Sequence, residues 1–304
     1  MVMKILSIMA FLFPLLNKAF ATKLVGAHRV LPKLITPFSI NDECVNIKEN
    51  KWLCKENTLY LKDEKYVKDK KLISISPGGF KGFYMLGTTA FIKEKYILDN
   101  YIFSGASAGA WNALFMTFKR DPIEFVIEML DDKLNNAISI IDLEYVIKYK
   151  ILNKYSEDDF DLKRLFIGVT SFENMKIKTH IFSDFDTLED ALNCCIASSH
   201  IPYITGSTFL NKYQNMNAFD GGFSNYPYIN VIKPTLHITP RMWKDEDCDN
   251  AQKTYVEKLL QLQSHVSDYT TLFSRSKYNF TDLFDKGYND AKNNKPFLDN
   301  KLLF

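Results

Sequence analysis

The chain has 304 residues, of which 46% are hydrophobic and 24% are charged, so it can bury a sizeable core as one large domain or two small ones. Lys and Arg number 38 against 36 Asp and Glu, and the charges are interspersed, which gives a net charge of +2. This balance argues against a nucleic-acid-binding surface and favours a neutral or membrane-surface substrate.

The first 21 residues bear on where the protein resides. Lys4 precedes an apolar run from Ile5 to Leu16, and Ala19-Phe20-Ala21 follows. This is the pattern of a secretory signal peptide, because an apolar run of about 12 residues is shorter than the roughly 20 that a membrane-spanning helix needs. It predicts a location in the secretory pathway or at a membrane. The alternatives are an uncleaved anchor and an arm that packs on the domain of a cytoplasmic protein.

The chain that follows changes its pattern near residue 71. Residues 22–70 are a polar, lysine-rich lead-in in which residues 57–69 predict a strand or a hairpin. From Leu72 the pattern runs strand, glycine turn, helix from about Gly82 to Lys95, strand (NYIFSG) and helix (AGAWNALFMTF). Such alternation predicts an α/β layered domain with a largely parallel sheet.

The remaining elements extend this domain over residues 71–240. Two helices are predicted next (DPIEFVIEMLDDKL and IIDLEYVIKYKILNKY), the first with Asp121 as its N-cap and Pro122 at its first position. Two strands (LKRLFIGVTSF and MKIKTHIFSDF) and a helix (DTLEDALNCCIASS) follow. Pro234 in VIKPTLHIT predicts an edge or irregular strand. Residues 241–304 are predicted to be a helical extension packed on the core.

The cysteines indicate no metal site. The five residues show no C-x-x-C motif and no His/Cys ligand spacing. Cys194 and Cys195 lie in an apolar helical stretch and are predicted to be buried free thiols. Cys44 and Cys54 are able to pair if the protein is exported.

Residues 105–109 (GASAG) form a G-x-S-x-G sequence between a predicted strand and a predicted helix. In that context the pattern is typical of a nucleophile elbow, in which the serine occupies a strained turn and small neighbours prevent clashes. Ser107 is therefore predicted to be a nucleophile.

Residues 76–82 (SPGGFKG) lie between a strand and a helix. Gly78 and Gly79 fit an ordinary turn, a phosphate site or an oxyanion site, because N–H groups at a helix start bind anions and glycine permits close approach. The segment completes neither G-x-x-x-x-G-K-[ST] nor G-x-G-x-x-G, so phosphate is the weaker interpretation. Beside a nucleophilic serine, an oxyanion site is favoured.

Asp220 begins an Asp-Gly-Gly sequence after a short predicted strand. Asp-Gly is also an ordinary hairpin turn. Together with the serine elbow and the glycine loop, it predicts a carboxylate that acts as the base for the serine.

In this order, SPGGFKG, GASAG and DGG resemble the glycine loop, nucleophile elbow and catalytic aspartate of the patatin-like phospholipases. Residues 197–205 (ASSHIPYIT) are similar to the Ala-Ser-x-x-x-Pro segment of that family, and the resemblance covers roughly residues 72–239. It implies a three-layer α/β/α core, a Ser-Asp dyad, and hydrolysis of phospholipids or other acyl-ester lipids at a membrane surface, without a metal or other cofactor.

The resemblance also assigns roles to individual residues. Ser107 is the nucleophile and Asp220 the base, while Gly78, Gly79 and Phe80 surround the oxyanion. The supporting positions are Lys81, Gly82, Gly105, Gly109, Gly221 and Gly222. The family's loop begins Asp-Gly-Gly-Gly, whereas this one begins Ser-Pro-Gly-Gly, and Pro77 has no N–H, so the donor set stays open.

Two alternatives remain at this point. An α/β-hydrolase esterase uses a Ser-Asp-His triad, and His237 and His265 lie downstream of Asp220 in the required order. His237 lies in a predicted strand and His265 in a predicted helix, which favours packing or surface roles for both. The other alternative is a catalytically inactive lipid-binding protein. Phe80, Phe83 and Trp111 are candidates for lining an acyl channel or for the core.

Overall fold

The computed structural model describes residues 57–62, 65–137, 139–173, 176–202, 205, 208, 211–224, 226–243 and 279–303. These residues all belong to one unit, Ile35–Phe304. The predicted signal or anchor, the Cys44 and Cys54 pair, the helix predicted after Trp243, and His265 lie outside the described residues.

The described residues form eight strands and nine α-helices. The strands are β1 (Asn57–Tyr60), β2 (Lys71–Ile75), β3 (Tyr101–Gly105), β4 (Leu165–Glu173), β5 (Lys176–Phe182), β6 (Asn211–Tyr213), β7 (Met216–Phe219) and β8 (Pro234–Ile238). The helices are α1 (Lys65–Lys68), α2 (Gly82–Lys95), α3 (Ala108–Thr117), α4 (Pro122–Met129), α5 (Asp132–Asn135), α6 (Ile140–Lys154), α7 (Leu188–Ser198), α8 (Phe280–Asn293) and α9 (Lys295–Leu302).

The strands form one mixed, largely parallel sheet in the order β1-β5-β4-β3-β2-β8. Neighbours pair in parallel except β4 with β5, and a hairpin of β6 and β7 joins the sheet through antiparallel pairing of β7 with β4. The predicted α/β class is therefore confirmed. Pro234 begins β8, which lies at an end of the described sheet, and the pairing of β8 with β2 shifts register between Leu72 and Ile73. Both features agree with the edge or irregular strand that Pro234 predicts.

The two faces of the sheet are covered differently. Ile73, Phe103 and Ile167 face the main core, where side chains of α2, α3 and α7 pack on them. Leu72, Ile102 and Phe166 face the other side, where they meet Val67 of α1 and Ile229. Since β2 and β3 are buried on both faces, their sequences do not alternate between apolar and charged residues.

Several local predictions are confirmed. The Asp121 carboxylate caps α4 by accepting a hydrogen bond of 2.7 Å from the Ile123 N–H, with Pro122 in the first turn. Cys194 and Cys195 are buried free thiols. Residues 57–60 form β1 and residues 65–68 form the short helix α1, so the hairpin alternative is wrong.

The helix predicted over residues 121–134 is divided into α4 and α5. The Asp131 side chain accepts a hydrogen bond of 3.0 Å from the Leu134 N–H and thereby caps a new helix. Aspartate favours such caps over helix interiors, which explains the break. Within the described ranges, no helix has the length and apolar character to cross a membrane.

The C-terminal helix α8 packs closely along α2. A Cβ at Gly87 would lie 2.0 Å from the Phe284 carbonyl oxygen, and a Cβ at Gly287 would lie 1.9 Å from the Tyr84 carbonyl oxygen. The Tyr84 hydroxyl donates a 2.7 Å hydrogen bond to Asp290, and Phe280 stacks on Phe83. Glycine at both positions therefore allows the two backbones to approach each other.

Candidate active site

Ser107 occupies the turn between β3 and α3 with φ of 54° and ψ of −129°. A Cβ at Gly105 would lie 2.0 Å from the Gly109 carbonyl oxygen, and one at Gly109 would lie 2.1 Å from the Ile75 carbonyl oxygen. The two glycines therefore allow α3 to begin directly against the ends of β2 and β3. The strained backbone and the tight surroundings match the geometry that the G-x-S-x-G pattern predicts.

Ser198, at the end of α7, connects this turn to the sheet. The Ser107 backbone N–H donates a hydrogen bond of 2.8 Å to the Ser198 Oγ, which donates one of 2.6 Å to the Gly168 carbonyl oxygen. Sequence reasoning gave Ser198 no role, although it lies in the Ala-Ser-x-x-x-Pro segment. That segment was the available signal.

The pairing of β4 with both β3 and β7 brings Asp220 to the same cavity as Ser107. The first part of β4 pairs with β3, while Thr170 pairs with Phe219 at the end of β7. The Asp220 N–H donates a 2.7 Å hydrogen bond to the His200 carbonyl oxygen, and the Asp220 carbonyl oxygen accepts one of 2.6 Å from the Thr170 hydroxyl. The backbone of Asp220 is thus held from both sides.

The glycines after Asp220 permit close contact with the serine turn. A Cβ at Gly221 would lie 2.6 Å from the Ala106 Cβ and 2.3 Å from the Gly168 carbonyl oxygen. The Gly222 N–H donates a hydrogen bond of 2.6 Å to the Asp220 carboxylate and orients it. The Asp-Gly-Gly sequence is not a hairpin turn, because a short 3₁₀ turn follows Asp220.

The surroundings of Asp220 change its acidity. The residue is 4% exposed, and this burial raises the pKa of its carboxyl to about 6. Hydrogen bonds from the Ser107 side chain and the Gly222 N–H act in the opposite direction, because they stabilise the carboxylate. At neutral pH the group is ionised and is a stronger base than an exposed aspartate.

The glycine loop lies at the start of α2. Gly79 has φ of 52°, in the left-handed region that favours glycine, and begins a 3₁₀ turn that ends at Lys81. The Lys81 N–H donates to the Gly78 carbonyl oxygen at 3.1 Å. Hydrogen bonds between described residues leave the N–H groups of Gly78 and Gly79 unused. Two backbone donors are therefore available to a ligand at this turn.

Asn112 fastens the glycine loop to the serine turn. Its amide nitrogen donates hydrogen bonds to the carbonyl oxygens of Gly82, at 3.1 Å, and Ala108, at 2.9 Å. Its oxygen accepts one of 3.2 Å from Thr89. A Cβ at Gly82 would lie 2.8 Å from the Ala108 Cβ, so the starts of α2 and α3 are in contact. Sequence reasoning missed Asn112, and its only signal was an amide within an apolar helix.

Gly79, Ser107 and Asp220 line one cavity of about 120 Å³. Most of its remaining wall is apolar and comes from α2, α3, α4 and α6: Phe83, Leu86, Trp111, Leu114, Phe115, Phe125, Met129, Ile140, Leu143, Ile147 and Ile151. Phe80 and Phe83 are buried and also line the cavity.

Comparison with known proteins identifies the family. Residues 73–232, just over half of the chain, match the model of the patatin-like phospholipases. The chain belongs to this family. Human patatin-like phospholipase domain-containing protein 4 is 23% identical over 240 residues, which cover 72% of this chain and 94% of the relative. Family membership supports a lipid hydrolase.

Two solved structures match the chain at low similarity. VipD from Legionella pneumophila is 14% identical with a TM-score of 0.36, and the match covers 65% of this chain and 53% of VipD. The ExoU–SpcU complex of Pseudomonas aeruginosa is 15% identical with a TM-score of 0.33, and the match covers 94% of this chain and 62% of the other. The chain thus spans less than two thirds of either matched structure.

This patatin-like cavity contains a second buried carboxyl group that sequence reasoning did not identify. Glu144 of α6 is 6% exposed and lines the cavity. Burial raises the pKa of its carboxyl well above the usual range, the negative charge of Asp220 adds to this effect, and a hydrogen bond with Ser199 opposes it. Burial and the nearby Asp220 charge therefore both favour the protonated form of Glu144.

Within the described residues, no histidine lines the cavity. The His237 Nδ1 pairs with the Ser74 hydroxyl at 2.8 Å, and the ring contacts Tyr228. The His180 Nε2 pairs with the Ser171 hydroxyl at 2.7 Å. The described residues also contain no cluster of three or more His, Cys, Asp or Glu side chains suited to hold a metal ion.

Proposed function

We propose that this patatin-like chain hydrolyses acyl esters of lipids, of the phospholipase A or acylglycerol type. Ser107 is the nucleophile, Asp220 is the general base, and the glycine loop binds the oxyanion. The observation that carries the proposal is that Ser107, Asp220 and Gly79 line one largely apolar cavity. Such a cavity suits an acyl chain, and its few polar groups suit the ester at the end of that chain.

The chemistry proceeds in two stages. Asp220 takes the proton from the Ser107 hydroxyl as the Ser107 Oγ bonds to the ester carbonyl carbon. The carbonyl oxygen becomes an oxyanion, which accepts hydrogen bonds from the glycine loop, with Gly78, Gly79 and Phe80 as the donor positions. The tetrahedral intermediate then expels the alcohol, which receives the proton from Asp220. Water attacks the acyl-enzyme with Asp220 again as base, and the fatty acid leaves.

The base strength of Asp220 supports this scheme. A carboxylate with an ordinary pKa takes a proton from serine only weakly, and burial here raises the pKa to about 6. The interaction with the Ser107 side chain favours the ionised form of this carboxylate. Since the described cavity lining contains no histidine, a dyad accounts for the site better than a Ser-Asp-His triad.

The membrane location is a further part of the proposal. Residues 1–21 have the pattern of a signal or anchor. A lipid hydrolase with such a segment acts on a membrane surface in or along the secretory pathway, with a cytoplasmic location as the alternative.

The test is the Ser107→Ala variant, assayed by fatty-acid release from phospholipid dispersed in detergent. We expect activity to fall to the background rate while the circular dichroism spectrum and the melting temperature stay close to those of the wild type. Ser156→Ala, an exposed serine outside the cavity, is the matched control and should keep full activity.

A fluorophosphonate probe gives an independent measurement on the same proteins. It should label the wild type and Ser156→Ala but not Ser107→Ala. Equal hydrolysis by Ser107→Ala would contradict the proposed nucleophile. An unlabelled, inactive wild type would instead identify a lipid-binding protein without turnover.

A further inference from the structure

Besides Ser107 and Asp220, the polar side chains that line the cavity belong to Asn112, Glu144, Ser199 and Thr205. Asn112 is occupied by two carbonyl oxygens and Thr89. The Thr205 hydroxyl donates to the Ser199 carbonyl oxygen at 2.9 Å and accepts from the Ile201 N–H at 2.7 Å. Both side chains therefore have structural partners.

Ser199 is also largely occupied. Its hydroxyl accepts a 3.0 Å hydrogen bond from the Trp111 indole N–H and donates one of 2.9 Å to the Cys195 carbonyl oxygen. It additionally interacts with Glu144. One hydroxyl satisfies at most part of a carboxyl group, which has two oxygens and, when protonated, one O–H donor. Glu144 thus retains hydrogen-bonding capacity toward the cavity.

A buried carboxyl of this kind is costly to retain. An uncompensated polar group in an apolar site destabilises the fold, and buried acids are normally paired with a cation. Among the described groups that act on Glu144, the charged one is Asp220, which is of like sign. Leu143 and Ile147 of the same helix present apolar surface to the same cavity. An apolar residue at position 144 would fill this part of the cavity wall without the desolvation penalty of a carboxyl group. Stability therefore does not explain why a glutamate occupies this position.

We propose that Glu144 is a specificity-determining residue that binds a hydroxyl group on the acyl chain of the substrate. The inference rests on the proposed function, because it takes the cavity as the acyl-chain site. A carboxyl group accepts a hydrogen bond from a hydroxyl group in either protonation state, and it also donates one when protonated, so the two groups are complementary. Hydroxylated acyl esters are therefore the preferred substrate class.

The experiment measures binding without turnover, in the Ser107→Ala background. The ligands are methyl decanoate and a series of methyl hydroxydecanoates, with the hydroxyl at successive positions along the chain. We expect the ester with its hydroxyl at one particular position to bind more tightly, relative to methyl decanoate, than the esters with the hydroxyl elsewhere. In Ser107→Ala/Glu144→Leu this relative preference should fall about five- to tenfold, the effect of one buried hydrogen bond.

Three further variants in the same background serve as controls. Glu144→Gln keeps a neutral donor and acceptor and should retain most of the preference. Glu144→Met is a second apolar replacement and should lose it as Glu144→Leu does. Ile147→Leu changes the same wall without adding or removing a polar atom, so its hydroxyl preference should match that of the background protein.

Two results would overturn the inference. One is an unchanged hydroxyl preference in Glu144→Leu and Glu144→Met. The other is a Glu144-dependent preference that arises only when the hydroxyl is on the alcohol part of the ester, as in a glycerol ester. Because binding is measured without hydrolysis, a failure of the proposed function appears separately, as absent fatty-acid release by the protein with Ser107 intact.

Discussion

Glycines shape two regions of this molecule, and they serve different ends. At the edge of the sheet, Gly79, Gly105, Gly109 and Gly221 allow backbone segments to converge on Ser107. Along the helix pair α2 and α8, Gly87 and Gly287 allow two helices to pack at close range, and no residue of α8 lines the cavity. A glycine needed for close approach therefore indicates chemistry only when the approaching groups include a reactive side chain.

The two regions are nevertheless connected through Phe80. Its ring is 5.6 Å from that of Phe280 at the start of α8, while Phe80 itself lines the cavity next to Gly79. Helix α8 therefore supports the glycine loop from outside. If the two groups of glycines serve these different ends, substitutions at the sheet edge should reduce activity more than they reduce the free energy of unfolding. Substitutions between α2 and α8 should instead reduce the free energy of unfolding.

The largest effect is expected for Asp220→Asn, which removes the base with almost no change in volume. We expect kcat to fall roughly 10²- to 10⁴-fold, the usual contribution of a general base, while the fold is retained. Steady-state hydrolysis of a soluble acyl ester measures it. In the wild type, kcat/KM should rise with pH through about 6, because Asp220 must be ionised to act.

Two controls sharpen this prediction. Asp190→Asn alters a partly buried aspartate, which accepts a hydrogen bond from Tyr213 outside the cavity and should leave kcat near the wild-type value. His237→Ala should lose only stability, because the ring pairs with Ser74 between β2 and β8. A folded His237→Ala protein as inactive as Ser107→Ala would replace the dyad by a triad.

The next effect concerns the pH dependence of stability. The pKa of Asp220 is raised from 3.8 to about 6 in the folded protein, so the folded state binds a proton that the unfolded state has released. The free energy of unfolding should therefore fall by about 3 kcal/mol, through this group, as the pH rises from about 3 to about 7. Urea unfolding at several pH values measures it. In Asp220→Asn that part of the pH dependence should be missing, and identical profiles would contradict the raised pKa.

The smallest effect is expected for Gly287→Ala. The added Cβ would lie 1.9 Å from the Tyr84 carbonyl oxygen, so α8 has to move away from α2. Overpacking of this kind costs about 2 kcal/mol, which thermal unfolding resolves. Asn289→Ala, exposed on the same helix, is the matched control and should change the unfolding free energy by less than about 0.5 kcal/mol. A Gly287→Ala protein as stable as this control would show that the helices are not closely packed in solution.

Much of the fold was predictable because its signals are local. The bounds of α2 agree with the apolar and glycine pattern from Gly82 to Lys95, and Pro234 indicated the edge position of β8. The break at Asp131 was not predicted. Whether an aspartate side chain caps a new helix depends on the backbone conformation around it, and neighbouring residues in the sequence do not reveal that conformation. The pairing of β7 with β4, which brings Asp220 to the site, also has no local signal.

The sequence by itself determined the family, the α/β class and three short motifs at the sheet edge, because strained turns and close backbone contacts restrict the residue types that fit. Only the tertiary structure decided that Ser198 and Asn112 hold those motifs together, that Gly87 and Gly287 meet across about 200 residues of chain, and that Glu144 lies in the cavity. None of these residue types indicates such a role by itself. Their roles depend on which distant segment packs against them, and long-range packing leaves no pattern at neighbouring positions.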